Sequence, residues 1–208
     1  MPVHARVRLT EGAPRVPHRT MSLDELRESF PKLASMKTST LLSKVFAHAA
    51  ESEGFLVGDF CLDPKLRDET NAWFQGDDAM AEQFVILATD DANALYGYWL
   101  HDDLEIDKAP LVYLNGEGMG NTVLANSLQE LLSILGLGRN TIGQVEAWQD
   151  EEDPAEGVET YRLWLRDELK IEPATTHEQA YAIVARAKKG HPDLDKVITD
   201  WLDLRASR

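Results

Sequence analysis

Gln83–Leu100 reads QFVILATDDANALYGYWL and Pro110–Leu135 reads PLVYLNGEGMGNTVLANSLQELLSIL, with HDDLEIDKA between them. Phe84–Leu87 is a continuous apolar run, Asp90–Asn93 a polar turn, and Leu95–Leu100 an aromatic-rich return. Two such runs joined by a short polar turn predict an antiparallel hairpin. Pro110 then leads a third strand, LVYL. Thr122–Ala125 predicts a fourth, reached through the glycines at 116, 118 and 120. Ser127 and Glu130 give the S-x-x-E signature of a helix start, followed by Leu128, Leu131, Leu132 and Leu135 on one helical face.

Working outward on the N-terminal side, Ser22 and Glu25 make another capping box, and Pro31 stops that helix. Thr38–Ser52 predicts a stronger helix, with Leu41, Leu42, Val45, Phe46 and Ala49 on one face and Gly54 behind its end. Phe55–Leu62 reads as one short strand. Asp63-Pro64 reads as the start of a helix that Gly76 closes. On the C-terminal side, Glu146–Glu172 carries ten acids against three bases, and its first part reads as a solvated loop. Helices are expected around Tyr161–Leu169, after the Thr176/Gln179 cap, and after His191-Pro192, ending with Trp201 and Leu202. Each is too short to stand alone, so they should pack on the body. The expected organisation is a basic arm over 1–21, an α+β body over 22–145, and an acidic loop with C-terminal helices over 146–208.

Composition narrows the partners. The formal net charge is −15, from 36 acidic and 21 basic residues. Phosphates repel such a chain, which argues against nucleic acid and anionic membranes and in favour of a basic protein. No apolar run approaches the roughly 18 residues of a membrane span. The N-terminus lacks the apolar core of a signal peptide. Cys61 is the single cysteine, so there is no intrachain disulfide and no thiolate zinc cluster, as suits a cytoplasmic protein.

Motifs for chemistry are weak. Gly116–Gly120 has G-x-G-x-G spacing and leads into a strand, whereas dinucleotide sites need G-x-G-x-x-G opening a helix. It reads as a hairpin turn. No two histidines have metal-site spacing, and His101-Asp102-Asp103 is the one acid–imidazole cluster. Asp77-Asp78 and Asp90-Asp91 read as turn residues, and Cys61 as core thiol. No G-x-S-x-G elbow is present. The reading is therefore no catalytic, cofactor or metal residues. Partner-binding candidates are Trp99 beside Tyr96 and Tyr98 as aromatic anchor, His101, Asp102, Asp103 and Glu105 in the acidic linker, and Asp90, Asp91 and Glu117 in the turns.

The same stretch resembles the SUKH superfamily, which includes the fungal cell-wall-synthesis regulator and many bacterial toxin-immunity proteins. The resemblance rests on Phe84–Asp90, on the return Leu95–Leu100, on Pro110–Leu114, and on Glu117-Gly118 followed by Val123–Leu128 and Leu131-Leu132. It covers about a quarter of the chain. Phe30-Pro31 stands loosely where the family has Leu-Pro, and Phe55–Gly76 has no counterpart. The resemblance implies an α+β fold, with a mostly antiparallel sheet of about four to six strands and flanking helices, here with a C-terminal helical extension. It also implies a non-enzymatic, cofactor-free binding protein that neutralises a basic, nucleic-acid-targeting toxin. A scaffold of the same fold with an endogenous partner is the alternative. A third reading is an enzyme or small-ligand binder around His101, which calls for a concave pocket there.

Overall fold

The computed structural model describes residues 22–30, 33, 40–139, 142–143 and 153–207, without the side chain of Asp103. The expected basic arm, the Pro31 stop and most of the acidic loop lie outside the described residues. The fold is α+β. Six strands form one antiparallel sheet in simple chain order: β1 (Phe55–Val57), β2 (Phe60–Leu62), β3 (Phe84–Thr89), β4 (Leu95–Trp99), β5 (Leu111–Leu114) and β6 (Thr122–Ala125). Helices α1 (Leu23–Ser29), α2 (Thr40–Ala50), α3 (Arg67–Trp73), α4 (Asp78–Ala81), α5 (Leu128–Leu135), α6 (Val158–Trp164), α7 (His177–Gly190) and α8 (Leu194–Ala206) surround it.

The hairpin β3–β4 forms as its pattern predicts, with Phe84 opposite Trp99 and Thr89 opposite Leu95. The register shifts between Ile86 and Ala88, which leaves Leu87 as the extra residue of a bulge. Gly97 sits opposite Ile86, and a Cβ there would collide with the Val85 carbonyl and Ile86 Cα. All five residues of β4 are buried because helices cover both faces of the sheet. On one face, Leu42 and Val45 of α2 and Leu128, Leu131, Leu132 and Leu135 of α5 meet Phe60, Leu87 and Tyr96. On the other, Phe74 stacks on Phe84 and meets Trp201 of α8 edge-on, with ring centres 4.8 Å and 5.6 Å apart.

Three local expectations need correction. The single strand expected over Phe55–Leu62 is a two-strand hairpin, because Gly58 adopts φ +54° and turns the chain. The helix expected from Asp63-Pro64 begins at Arg67, since Asp63 Oδ1 accepts the Lys65 N–H (2.8 Å) and holds a turn there instead. The segment Tyr161–Leu169 is α6 followed by a π-helical turn over Leu165–Leu169.

The C-terminal helices wrap the β6 edge. The buried Tyr161 hydroxyl of α6 donates to the Leu132 carbonyl (3.0 Å). Helix α7 lies along β6, and α8 returns past it to α4. Trp201 Nε1 and Arg205 both donate to Asp77 Oδ2, at 3.0 Å and 3.1 Å, while Asp77 Oδ1 caps α4 through the Met80 N–H. Covering an edge strand in this way removes a template for unwanted strand pairing.

Candidate functional site

The sheet divides the candidate residues between its two ends. Asp90, Asp91 and Glu117 lie on the β3–β4 and β5–β6 turns. Trp99, His101, Asp102, Asp103 and Glu105 lie at the opposite end of β4 and in the linker beyond it. The run of β4 separates the groups by roughly 13 Å at about 3.4 Å per residue. They do not form one patch.

At the turn end, Asp90 is buried and used internally. Its Oδ1 accepts the Ala92 and Ala94 N–H groups, both at 3.0 Å, and its Oδ2 accepts the Tyr96 hydroxyl at 2.6 Å. Burial, then the Asp90 charge, pushes the Tyr96 phenol far above its ordinary value. Asp90 is thus a turn lock with no free oxygen face, a correction to its place among the surface candidates. Asp91 and Glu117 are exposed. Asp59, on the β1–β2 turn, joins them. Its carboxyl is pushed up by partial burial first and then by the negative charges of Asp91 and Asp90. The β5–β6 loop is tied together by its own side chains. Asn115 Nδ2 donates to the Met119 carbonyl (2.6 Å) and Asn115 N–H to Asn121 Oδ1 (3.0 Å), while Gly118 and Gly120 take left-handed φ of +83° and +77°. The glycine-rich stretch is a hairpin connection.

At the linker end, two 3₁₀ turns, His101–Asp103 and Ile106–Lys108, carry the chain from β4 to β5. Trp99 is 1 % exposed, so the ring expected to anchor a partner is core, packed 6.3 Å from Phe84 and 4.5 Å from the His101 ring. Two-sided burial of β4 is the reason. Asp102, Glu105 and Asp107 are exposed, and Glu105 pairs with Lys108 at 2.9 Å.

His101 leads into a chain of contacts that no local pattern announced. Its Nδ1 lies 2.9 Å from Asp102 Oδ2, and its Nε2 lies 2.9 Å from His191 Nδ1. His191 Nε2 lies 3.1 Å from Asn126 Oδ1. Glu130 Oε2 accepts the Asn126 backbone N–H (2.9 Å) and side-chain amide (3.4 Å), and Glu130 Oε1 accepts from Arg186 (2.8 Å). Glu130 therefore reaches one residue beyond the capping-box target. Ser127 still caps α5 through the Glu130 N–H (3.3 Å). Burial first, then the neighbouring His101, holds His191 below the usual imidazole value.

A groove of about 620 Å³ runs along the outer side of β6 between these ends. Its walls include Asn121 and Val123 from the sheet side and Val184, Lys188, His191 and Asp195 from α7 and α8. Asp195 Oδ1 accepts the Gly120 and Asn121 N–H groups (both 3.0 Å) and closes the groove toward the turn. All four imidazole nitrogens of His101 and His191 are engaged, so neither ring presents a free nitrogen to the groove. Among the described residues no group of three or more His, Cys, Asp or Glu side chains is placed to hold a metal ion, and no helix is long and apolar enough to cross a membrane. The Cys61 thiol is half-buried and pushed up by burial and then by Asp63, which makes it a poor nucleophile.

The chain matches no known protein family, curated protein or solved structure.

Proposed function

We propose that this chain is a partner-binding protein that receives a basic surface on the turn end of its sheet, in the manner of the toxin-neutralising proteins of the SUKH superfamily, and that it acts in the cytoplasm. The carrying observation is the set of like charges gathered on turns that internal hydrogen bonds hold. Asp59 is raised by its own burial and by Asp91 and Asp90, and Glu117 adds an exposed carboxylate on the adjoining loop. Like charges gathered on one face favour a cationic partner, which offsets their mutual repulsion. The turns are ordered in advance by Asp90 and by the Asn115–Asn121 bonds, so binding orders little. A net charge of −15 adds long-range steering toward a basic toxin. The test is charge reversal at Asp59, Asp91 and Glu117, compared with the same change at Asp102, Glu105 and Asp107. The reading requires the first set to abolish capture of a basic partner and the second to spare it. A scaffold with an endogenous partner would bind through the same face, and a toxin gene beside this one distinguishes the two.

The groove favours a second reading, a small-molecule binder or enzyme beside His191. It predicts that a metabolite raises the melting temperature of the wild type and not of a Val123→Trp variant, whose indole fills the groove. A metabolite library that leaves the wild-type melting temperature unmoved counts against it.

A further inference from the structure

The His101–His191 contact joins segments 90 residues apart in sequence: the β4–β5 linker and the corner between α7 and α8. The ring centres are 5.2 Å apart and the facing nitrogens 2.9 Å. The difference is about the two ring radii together, so the nitrogens point head-on along the line of centres, the geometry of a straight N–H···N bond. Glu130 Oε2 accepts from the Asn126 side-chain amide (3.4 Å), which turns Asn126 Oδ1 toward His191. His191 Nε2 therefore donates, and in neutral His191 the Nδ1 accepts from His101 Nε2.

Three charge states follow. With one positive charge on the pair, His101 donates to both Asp102 and His191, and all three bonds form. With no charge, the two inner bonds persist, and only the contact to Asp102, whose side chain is 82 % exposed, is given up. With two charges, N–H faces N–H across 2.9 Å, and the central bond is lost. We propose that His101 and His191 form an acid-release latch: the pair holds the α7–α8 corner against the β6 end of the sheet while it carries at most one charge, and a second proton frees that corner.

The charged surroundings are Asp102 on His101, the Glu130–Arg186 pair behind Asn126, and Lys188, Asp193 and Asp195, which share the groove wall with His191. The depressed His191 value agrees with exclusion of the second proton and sets the sign. The closed form prefers neutral His191, so the latch contributes fully above the ordinary imidazole value near 6.5. It weakens as pH falls through the depressed one. Release loosens α7 and α8, the helices that wall the groove.

The test uses the full chain. Long-range ¹H–¹⁵N NMR reads the imidazole tautomers, and hydrogen exchange reads the amides of 177–206 from pH 7.5 to 5. The expected result is a proton on His191 Nε2 at neutral pH and a His191 midpoint below that of a free imidazole. Corrected exchange in α7 and α8 should then rise by about tenfold per pH unit inside that window, while β3 and β4 stay protected. His101→Gln should move the His191 midpoint part of the way up and weaken the pH dependence, leaving the part that burial sets. If that variant does not fold, the wild-type data decide. A His191 midpoint at the ordinary value, exchange in α7–α8 that ignores pH, or protection lost evenly over the whole chain would each overturn the latch.

Discussion

Asp90 and Gly97 show how single residues set the β3–β4 hairpin. Asp90 satisfies two backbone donors and the Tyr96 hydroxyl from inside the turn. Tyr96→Phe leaves Asp90 Oδ2 buried without its donor, and we expect a loss of about 1–3 kcal/mol in urea unfolding with the m-value unchanged. At Gly97 the bulged β3 approaches so closely that a methyl group meets backbone rather than a movable side chain. Gly97→Ala should cost at least about 1–3 kcal/mol by the same measurement, and an unchanged midpoint would show that the bulge yields. Sequence reading recognised Asp90 as a turn residue but could not tell a solvated turn acid from a buried lock. That distinction depends on where Tyr96 points, and alternation could not give it because both faces of β4 are covered. Trp99 failed as a surface anchor for the same reason. Asp59 was one acid among 36. Only the fold brings it beside Asp90 and Asp91.

Among the elements, those with strong local signals were legible. Strands β3 to β6, the Ser22 and Thr176 capping boxes and the Ser127 cap stand where their patterns put them. The β1–β2 hairpin carries a two-residue Gly58-Asp59 turn signal, but its strands are only three residues each, so the segment passes for one short strand. Helix α8 was legible, but its docking was not, since Trp201 and Arg205 reach Asp77 over 124 and 128 residues. The Trp201 indole donor first, and the Met80 N–H second, hold the Asp77 carboxyl below its usual range. The folded form thus prefers the carboxylate. Its contribution is present above the ordinary aspartate value near 3.9 and is lost as pH falls through the lowered one. Asp77→Ala removes the α4 cap, worth about 1 kcal/mol, and leaves both α8 donors without their acceptor. Trp201 emission should shift to the red, with the loss of α8 protection exceeding that of α5. Equal losses in the two helices would show that Asp77 does not tether α8.

At the scale of the whole molecule, one sheet covered on both faces leaves its turn end and its linker end as separate surfaces. The partner-binding candidates named from the sequence fall on both, although Asp90, Asp91, His101, Asp102, Asp103 and Glu105 are close neighbours in the chain. The length of β4 keeps them apart. Docking of a basic partner on the turn end is tested by affinity capture from native host lysate. Wild type, a variant reversed at Asp59, Asp91 and Glu117, and a variant reversed at Asp102, Glu105 and Asp107 serve as baits at low and high salt, each first shown to be folded. We expect a basic protein held by wild type and by the linker-end variant, released by salt, and absent from the turn-end variant. The same protein held equally by all three baits, or lost only from the linker-end variant, would contradict it.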